Sequence, residues 1–202
     1  MNNNLVGFIL AAGYSKRLKE LTKDRPKSFL EIKGKKIIEY HLENLSNLGI
    51  KKTYIVVGFL KDAFKKTMGN NYKGMDILYI DNDEFETTGH GYSLYLGKDV
   101  FKRNKILLIF ADLFCDPELY DDALNSLFEN VMMIEENYSA LTGEESLAQG
   151  EDGVMFGLGL NKKEKVQGVY IGISKFNQEF LTKLCDYMGE FFERENKKLN
   201  CE

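Results

Sequence analysis

The chain has 202 residues, 44% of them hydrophobic and 29% charged, which suits one soluble domain with a real core. Its longest apolar runs, Val6 to Ala12 apart from Gly7 and Ile106 to Ala111, fall far short of the ~18–20 residues that cross a bilayer, so no membrane partner is expected. Net charge is −4, but the first 36 residues carry +6 and the remainder −10, which argues against a general nucleic-acid-binding face and suits a small polyanion bound at one place.

The elements follow in order. The start, Met1-Asn2-Asn3-Asn4, lacks the positive charge of a secretory leader, so Val6 to Leu10 reads as a first core strand. It passes into a polar loop rich in cations. Ile37 to Leu48 places Ile38, Leu42, Leu45 and Leu48 on one helical face, with Gly49 as C-cap. Tyr54 to Val57 is a short strand, Asp62 to Met68 a short helix and Asp76 to Ile80 a third strand. Gly91 to Phe101 reads as a helix and Lys105 to Phe110 as a strongly apolar fourth strand. Asp116-Pro117 opens a helix that runs to about Phe128, with Asp116 as N-cap. Val131 to Glu135 is a strand. Thr142 to Gly153, polar and punctuated by glycines, reads as a mobile surface loop near the acceptor pocket. Val154 to Leu160 and Val166 to Ile173 are strands, and Phe176 to Lys198 a helix. Strands alternating with helices predict an α/β fold: a mixed, mostly parallel sheet covered on both faces, three layers in all. Ligands of such sheets bind beyond the carboxyl ends of the strands.

The first strand ends at Ala11-Ala12-Gly13, followed by Ser15, Arg17, Arg25 and Lys27. Small residues allow close backbone approach, and the cations suit a chain of phosphates. A dinucleotide fingerprint would need glycines where Ser15 and Leu18 stand, and the chain has no G-x-x-x-x-G-K-[ST] loop. The pattern L-A-A-G-x-S-x-R-L, with Pro26-Lys27 downstream, resembles the signature of the nucleotidyltransferases, among them the sugar-1-phosphate, inositol-1-phosphate and phosphocholine nucleotidylyltransferases. The resemblance implies a single Rossmann-like nucleotidyltransferase domain over residues 1–202. It also implies transfer of a nucleoside monophosphate to a phosphate oxygen of an acceptor, with loss of pyrophosphate. Arg17 suits the β- and γ-phosphates because its fork donates two hydrogen bonds, and Lys27 is a compact charge for the α-phosphate. Both are catalytic candidates. Ala11, Ala12, Gly13 and Ser15 would meet the nucleotide.

A second constellation, Thr87-Thr88-Gly89-His90-Gly91-Tyr92-Ser93-Leu94, resembles the Gly-Asn-Gly-Tyr-Ser-Leu stretch of inositol-1-phosphate cytidylyltransferases and the Asn-Asn-x-Tyr-Ser-Leu stretch of phosphocholine cytidylyltransferases. That implies that Gly89, His90 and Ser93 bind the nucleotide, with His90 where those families carry asparagine. His41, on an amphipathic helix, reads as structural. A third candidate is Asp112, directly after the most apolar strand, which would hold Mg²⁺ against the phosphates. Asp116 is the competing acid. Arg17 and Lys27 cannot balance the phosphate charge alone, so a divalent ion is expected.

The resembling enzymes carry a second metal-binding aspartate near the C-terminus, whereas this chain ends Lys197-Lys198-Leu199-Asn200-Cys201-Glu202. The usual tail is therefore expected to be missing. The expected activity is cytidylyl transfer from CTP to a small phosphorylated alcohol such as inositol-1-phosphate or phosphocholine. The alternatives are a sugar-1-phosphate nucleotidylyltransferase using UTP or dTTP, and a non-catalytic nucleotide-binding module lacking the second metal. Cysteines 115, 185 and 201, without metal-ligand spacing or a C-x-x-C, fit a cytoplasmic setting. The oligomeric state is left open, a homodimer included.

Overall fold

In the computed structural model, residues 4–14, 18–137, 145–159 and 165–194 are described. Four parallel strands form the centre: β1 (Leu5–Ala11), β4 (Lys52–Val57), β6 (Met75–Asp81) and β7 (Lys105–Phe110). The short strands β2 (Glu31–Ile32) and β3 (Lys35–Lys36) pair with each other outside that sheet, and β5 (Asn71–Tyr72) runs antiparallel on β6. Beyond β7 lie β8 (Val131–Glu135), β9 (Leu147–Glu151), β10 (Val154–Gly159) and β11 (Val166–Phe176), all paired antiparallel. The main path runs β10-β9-β11-β7-β1-β4-β6-β5, with β8 pairing β11 off that path.

Alternation along the central strands explains the two covered faces. On β1, Ile9 points to one side, with Leu107 and Ile109 of β7, and meets α1 (Ile37–Asn47), α2 (Lys61–Met68) and α5 (Glu118–Asn125) through Leu42, Phe64 and Tyr120. Val6, Phe8 and Leu10 point the other way, with Ile106 and Leu108, onto α3 (His90–Tyr95), α4 (Lys98–Phe101) and α6 (Gln178–Arg194) through Leu94, Phe101 and Leu181. Phe8 and Ile9 are wholly buried, each contributing roughly 1.5–3 kcal/mol from burial. The expected mixed α/β/α architecture is therefore present. Among the described residues, no helix is long and apolar enough to cross a membrane.

Four expected elements differ; in the last helix, Phe176 ends β11 and α6 opens only at Gln178. Residues 147–151, expected as loop, form β9, in which Ala148, Gln149 and Gly150 are buried. Their polarity hides a close sheet contact: a Cβ on Gly157 would lie 2.8 Å from Gln149 Oε1, and one on Gly150 2.6 Å from the Val154 carbonyl. The helix expected over 91–101 divides into α3 and α4. Between them Gly97 lies so close to Phe8 and Phe101 that a Cβ would stand 2.5 Å from each ring. Finally, α5 starts after Pro117 and ends at Asn125. Asp116 Oδ1 still accepts the Glu118 N–H at 3.1 Å, while Leu127 and Phe128 lie in the open.

Candidate active site

Parallel pairing brings the carboxyl ends of the central strands into line: Ala11 opposite Val57, Leu10 opposite Phe110, and Val57 opposite Asp81. The segments that follow therefore emerge at one edge of the sheet and are tied together there. Phe59 N–H donates to the Ala12 carbonyl at 3.1 Å, Asn82 N–H to the Val57 carbonyl at 2.8 Å, and Ala111 N–H to the Leu10 carbonyl at 3.0 Å. Gly58 makes the first contact possible, because a Cβ there would stand 2.8 Å from the Ala12 carbonyl and 2.7 Å from Phe85 Cβ. The result is a cleft of about 830 Å³. Its lining includes Ala11, Ala12, Gly13, Lys27, Gly89, His90, Ser93 and Asp112. Ser15 and Arg17 lie outside the described residues.

Lys27 is held from below. Pro26, extended at φ −58° and ψ 147°, leads into a single 3₁₀ turn, Lys27–Phe29. Phe29 is buried against Phe64 of α2, ring centroids 4.8 Å apart, which anchors the turn in the core. Lys27 thereby reaches Asp112, with Nζ donating to Oδ2 at 2.5 Å across 85 residues of sequence. Both side chains stay partly open to solvent, so the pair itself adds at most about 1 kcal/mol to stability. Its interest is chemical: a partly exposed cation and a carboxylate share one cleft. Beside them, Ser28 lines the cleft, its Oγ buried and, among the described residues, without a hydrogen-bond partner. Around Gly13 a Cβ would meet nothing within 4 Å among the described residues.

Asp112 follows β7 and stands over α1. There His41 is almost wholly buried, with Nδ1 2.5 Å from the Tyr120 hydroxyl. Burial pushes the His41 imidazole down to about 4, and the Ala111 backbone and the Asp112 charge only partly oppose this. Burial likewise raises the Tyr120 hydroxyl. His41 is therefore a neutral core residue that packs the base of the Asp112 segment.

The wall opposite is the segment after β6. Phe85, Thr87 and Thr88 join Gly89, His90 and Ser93 in the lining. The His90 ring lies 4.6 Å from that of Phe110, which in turn meets Tyr170 of β11 edge-on at 5.5 Å. Asn82, Ser28 and Phe85 also line the cleft, although none stands out in the sequence. For Asn82 a signal existed: it is a polar residue at the carboxyl end of an apolar strand, where ligand-binding residues of such sheets gather.

Among the described residues, no group of three or more His, Cys, Asp or Glu is gathered for a metal. Asp112 alone still fits Mg²⁺, which keeps several waters and takes one or two carboxylates together with substrate phosphates.

Residues 6–158 match the family described as Nucleotidyl transferase. The chain belongs to that family. It is 28% identical over 192 aligned residues to CTP:phosphoglutamine cytidylyltransferase of Campylobacter jejuni, covering 88% of this chain and 75% of that protein. It is 32% identical over 127 residues to choline-phosphate cytidylyltransferase of Streptococcus pneumoniae, covering 61% of this chain and 46% of that one. A uridylyltransferase is similar too: UTP–glucose-1-phosphate uridylyltransferase of Haloferax volcanii, 32% identical over 107 residues, 48% of this chain and 44% of the relative. The chain thus spans three quarters of the first of these proteins and less than half of the other two. Among solved structures, the CTP:phosphocholine cytidylyltransferase of Streptococcus pneumoniae superposes with a TM-score of 0.69 at 26% identity, over 95% of this chain and 78% of that one. The inositol-1-phosphate CTP transferase of T. maritima gives 0.72 at 19% identity, over 88% and 72%, a likeness of fold.

Proposed function

We propose that the chain transfers CMP from CTP to the phosphate of a small phosphorylated alcohol and releases pyrophosphate. The observation that carries this reading is the Lys27–Asp112 pair, 2.5 Å apart in a cleft built on the carboxyl ends of β1 and β7. Similarity to enzymes named as cytidylyltransferases of phosphoglutamine and choline phosphate supports CTP and a phosphorylated acceptor. In the reaction an acceptor oxygen forms a bond to the α-phosphorus while the bond to the β-phosphate breaks. Two anions meet, so the protein's task is to neutralise charge and hold the partners in line. Lys27 turns from Asp112 to the α-phosphate, where charge shifts in the transition state. Arg17 binds the β- and γ-phosphates. Ala11, Ala12, Gly13 and Ser15 bring backbone to the nucleotide, and Gly89, His90 and Ser93 meet the base. Asp112 holds Mg²⁺, which when bound supplies positive charge against the phosphates. We place the activity in one domain spanning residues 1–202, in the cytoplasm. A sugar-1-phosphate acceptor with UTP is the second reading, favoured by the uridylyltransferase similarity.

Pyrophosphate release decides between them, with four nucleoside triphosphates crossed against phosphorylated alcohols and sugar-1-phosphates. CTP with an alcohol phosphate should turn over, and Asp112→Asn should lose most of that turnover without unfolding. Equal turnover with UTP would overturn the cytidylyl assignment, and full activity in EDTA would remove the metal role of Asp112.

A further inference from the structure

We infer that His41 and Tyr120 act together as positioning residues: the hydrogen bond between them clamps the segment carrying Asp112 onto α1 and sets the aim of its carboxylate toward the metal. This rests on the reading of Asp112 as the Mg²⁺ ligand. Asp112 stands in the stretch between β7 and α5. The sheet fixes its entrance, where Ala111 N–H donates to the Leu10 carbonyl at 3.0 Å and Leu113 N–H to the Phe110 carbonyl at 3.1 Å. From Asp112 to Leu119 no residue is buried, and Phe114 is 50% exposed in its edge-on contact with Tyr40 of α1. Under this stretch lies a cavity of about 100 Å³, whose lining includes Tyr40, His41 and Asn44 of α1 and Leu113, Cys115 and Pro117. Side chains separated by a void lose the contacts that would hold them, so packing does not fasten the segment to α1 here.

The next buried residue is Tyr120, and its hydroxyl is where the segment is fastened. It lies 2.5 Å from His41 Nδ1, with almost no solvent on either partner. The Ala111 backbone and the Asp112 charge also act on the His41 ring, so the ring sits under the entrance while it holds the exit. Stability alone does not account for a histidine there. Its Nε2 is buried without a hydrogen-bond partner among the described residues, and an apolar side chain would fill the place without that penalty. Aim matters at this site. Asp112 belongs to no group of three or more metal-ligating side chains among the described residues, and Mg²⁺ demands near-ideal octahedral geometry. A misdirected carboxylate has little to offset it there.

Calorimetric titration of CTP, once with Mg²⁺ and once in EDTA, tests it, because the ratio of the two affinities isolates what the metal adds. Asp112→Asn should lose most of that gain. Tyr120→Phe, which removes one oxygen, should cut the gain at least about threefold while metal-free CTP affinity changes less than about twofold. The Mg²⁺ concentration at half-maximal turnover should rise, with little change in kcat at saturating metal. His41→Leu should do the same, His41→Gln should retain the gain, and His41→Leu with Tyr120→Phe together should be no worse than either alone. If His41→Leu fails to fold, Tyr120→Phe decides alone. A Tyr120→Phe protein that melts lower but keeps the wild-type metal gain and Mg²⁺ requirement would overturn the inference. Additive losses in the double variant would do so too, and either result leaves the Asp112 reading standing. An Asp112→Asn protein that keeps the gain would remove that reading and this inference with it.

Discussion

The parallel strands β6, β4, β1 and β7 and the antiparallel strands β8 to β11 share one sheet but hold their residues on different terms. In the parallel half, helices cover both faces, and Ile9, Ile55, Val56, Leu107 and Ile109 have almost no contact with solvent. In the antiparallel half, β10 leaves Val154 68%, Phe156 63% and Leu158 40% exposed, and the pairings of β11 with β8 and β9 and of β10 with β9 all shift register along their length. A strand buried on both sides has one workable register, because a slip of one residue would exchange its two apolar faces. The strand ends of the parallel half are therefore fixed, and the cleft sits on them. Bulged and half-open strands carry less of that constraint. The residues that line the cleft come from the parallel half and the segments that follow its strands.

The sharpest break between the halves should come at Lys27. Removing a preorganised cation from developing charge typically costs 10²–10³ in kcat, about 3–4 kcal/mol. Lys27→Ala should lose turnover on that scale while its melting temperature barely moves, since its partner Asp112 and Lys27 itself are both substantially exposed. Initial rates and a thermal melt on the same preparation check both parts. An unimpaired Lys27→Ala enzyme would mean that the parallel half does not carry the chemistry through this residue.

The second expectation concerns pH and concerns only the parallel half. His41 is held at about 4 when folded, against 6.5 for the ordinary side chain. As pH falls through that window the unfolded chain takes up the proton first, so stability present above about 6.5 is lost on approach to 4. The loss amounts to ~1–3 kcal/mol. Denaturant midpoints at pH 7.5 and 4.5 should therefore diverge in the wild type. His41→Gln, which keeps a polar partner for the Tyr120 hydroxyl, should flatten the difference. Equal slopes in both proteins would show that some other group controls acid stability.

The same contrast explains what the sequence disclosed. The continuous apolar runs of β1 and β7 and the helical spacing of α1 are signals strong enough to read alone; Gly13 and Asp112 are read from their positions after strands, and Lys27 from the Pro-Lys pair downstream of the first motif. β9 was not legible, because Gln149 and Gly150 read as loop until the backbone of β10 is seen lying against them. The split at Gly97 depends on Phe8, a residue 89 positions away, and periodicity within one window cannot carry such information. Asn82 differs: its place at the carboxyl end of β6 is a signal, but its partners are not legible. It hydrogen-bonds to Glu84, Thr88 and Ser93, which only the folded turn brings within reach.

The smallest expected effect tests whether the two halves are coupled. Between its pairing with β9 and its pairing with β7, β11 bends at Gly172, where φ is +92°. A Cβ there would be strained and would stand 3.0 Å from Phe110 Cβ. Gly172→Ala should cost about 1–2 kcal/mol of stability, seen as a lower denaturant midpoint. Phe110 is also the ring against which His90 rests, 4.6 Å away, so the same substitution pushes on the His90 wall of the cleft. If the parallel half is as firmly fixed as its burial implies, the bend in β11 should yield instead of Phe110. CTP affinity should then stay within about twofold of wild type. A parallel loss of CTP affinity would show that Phe110 transmits strain from β11 to His90 and that the two halves of the sheet move as one unit.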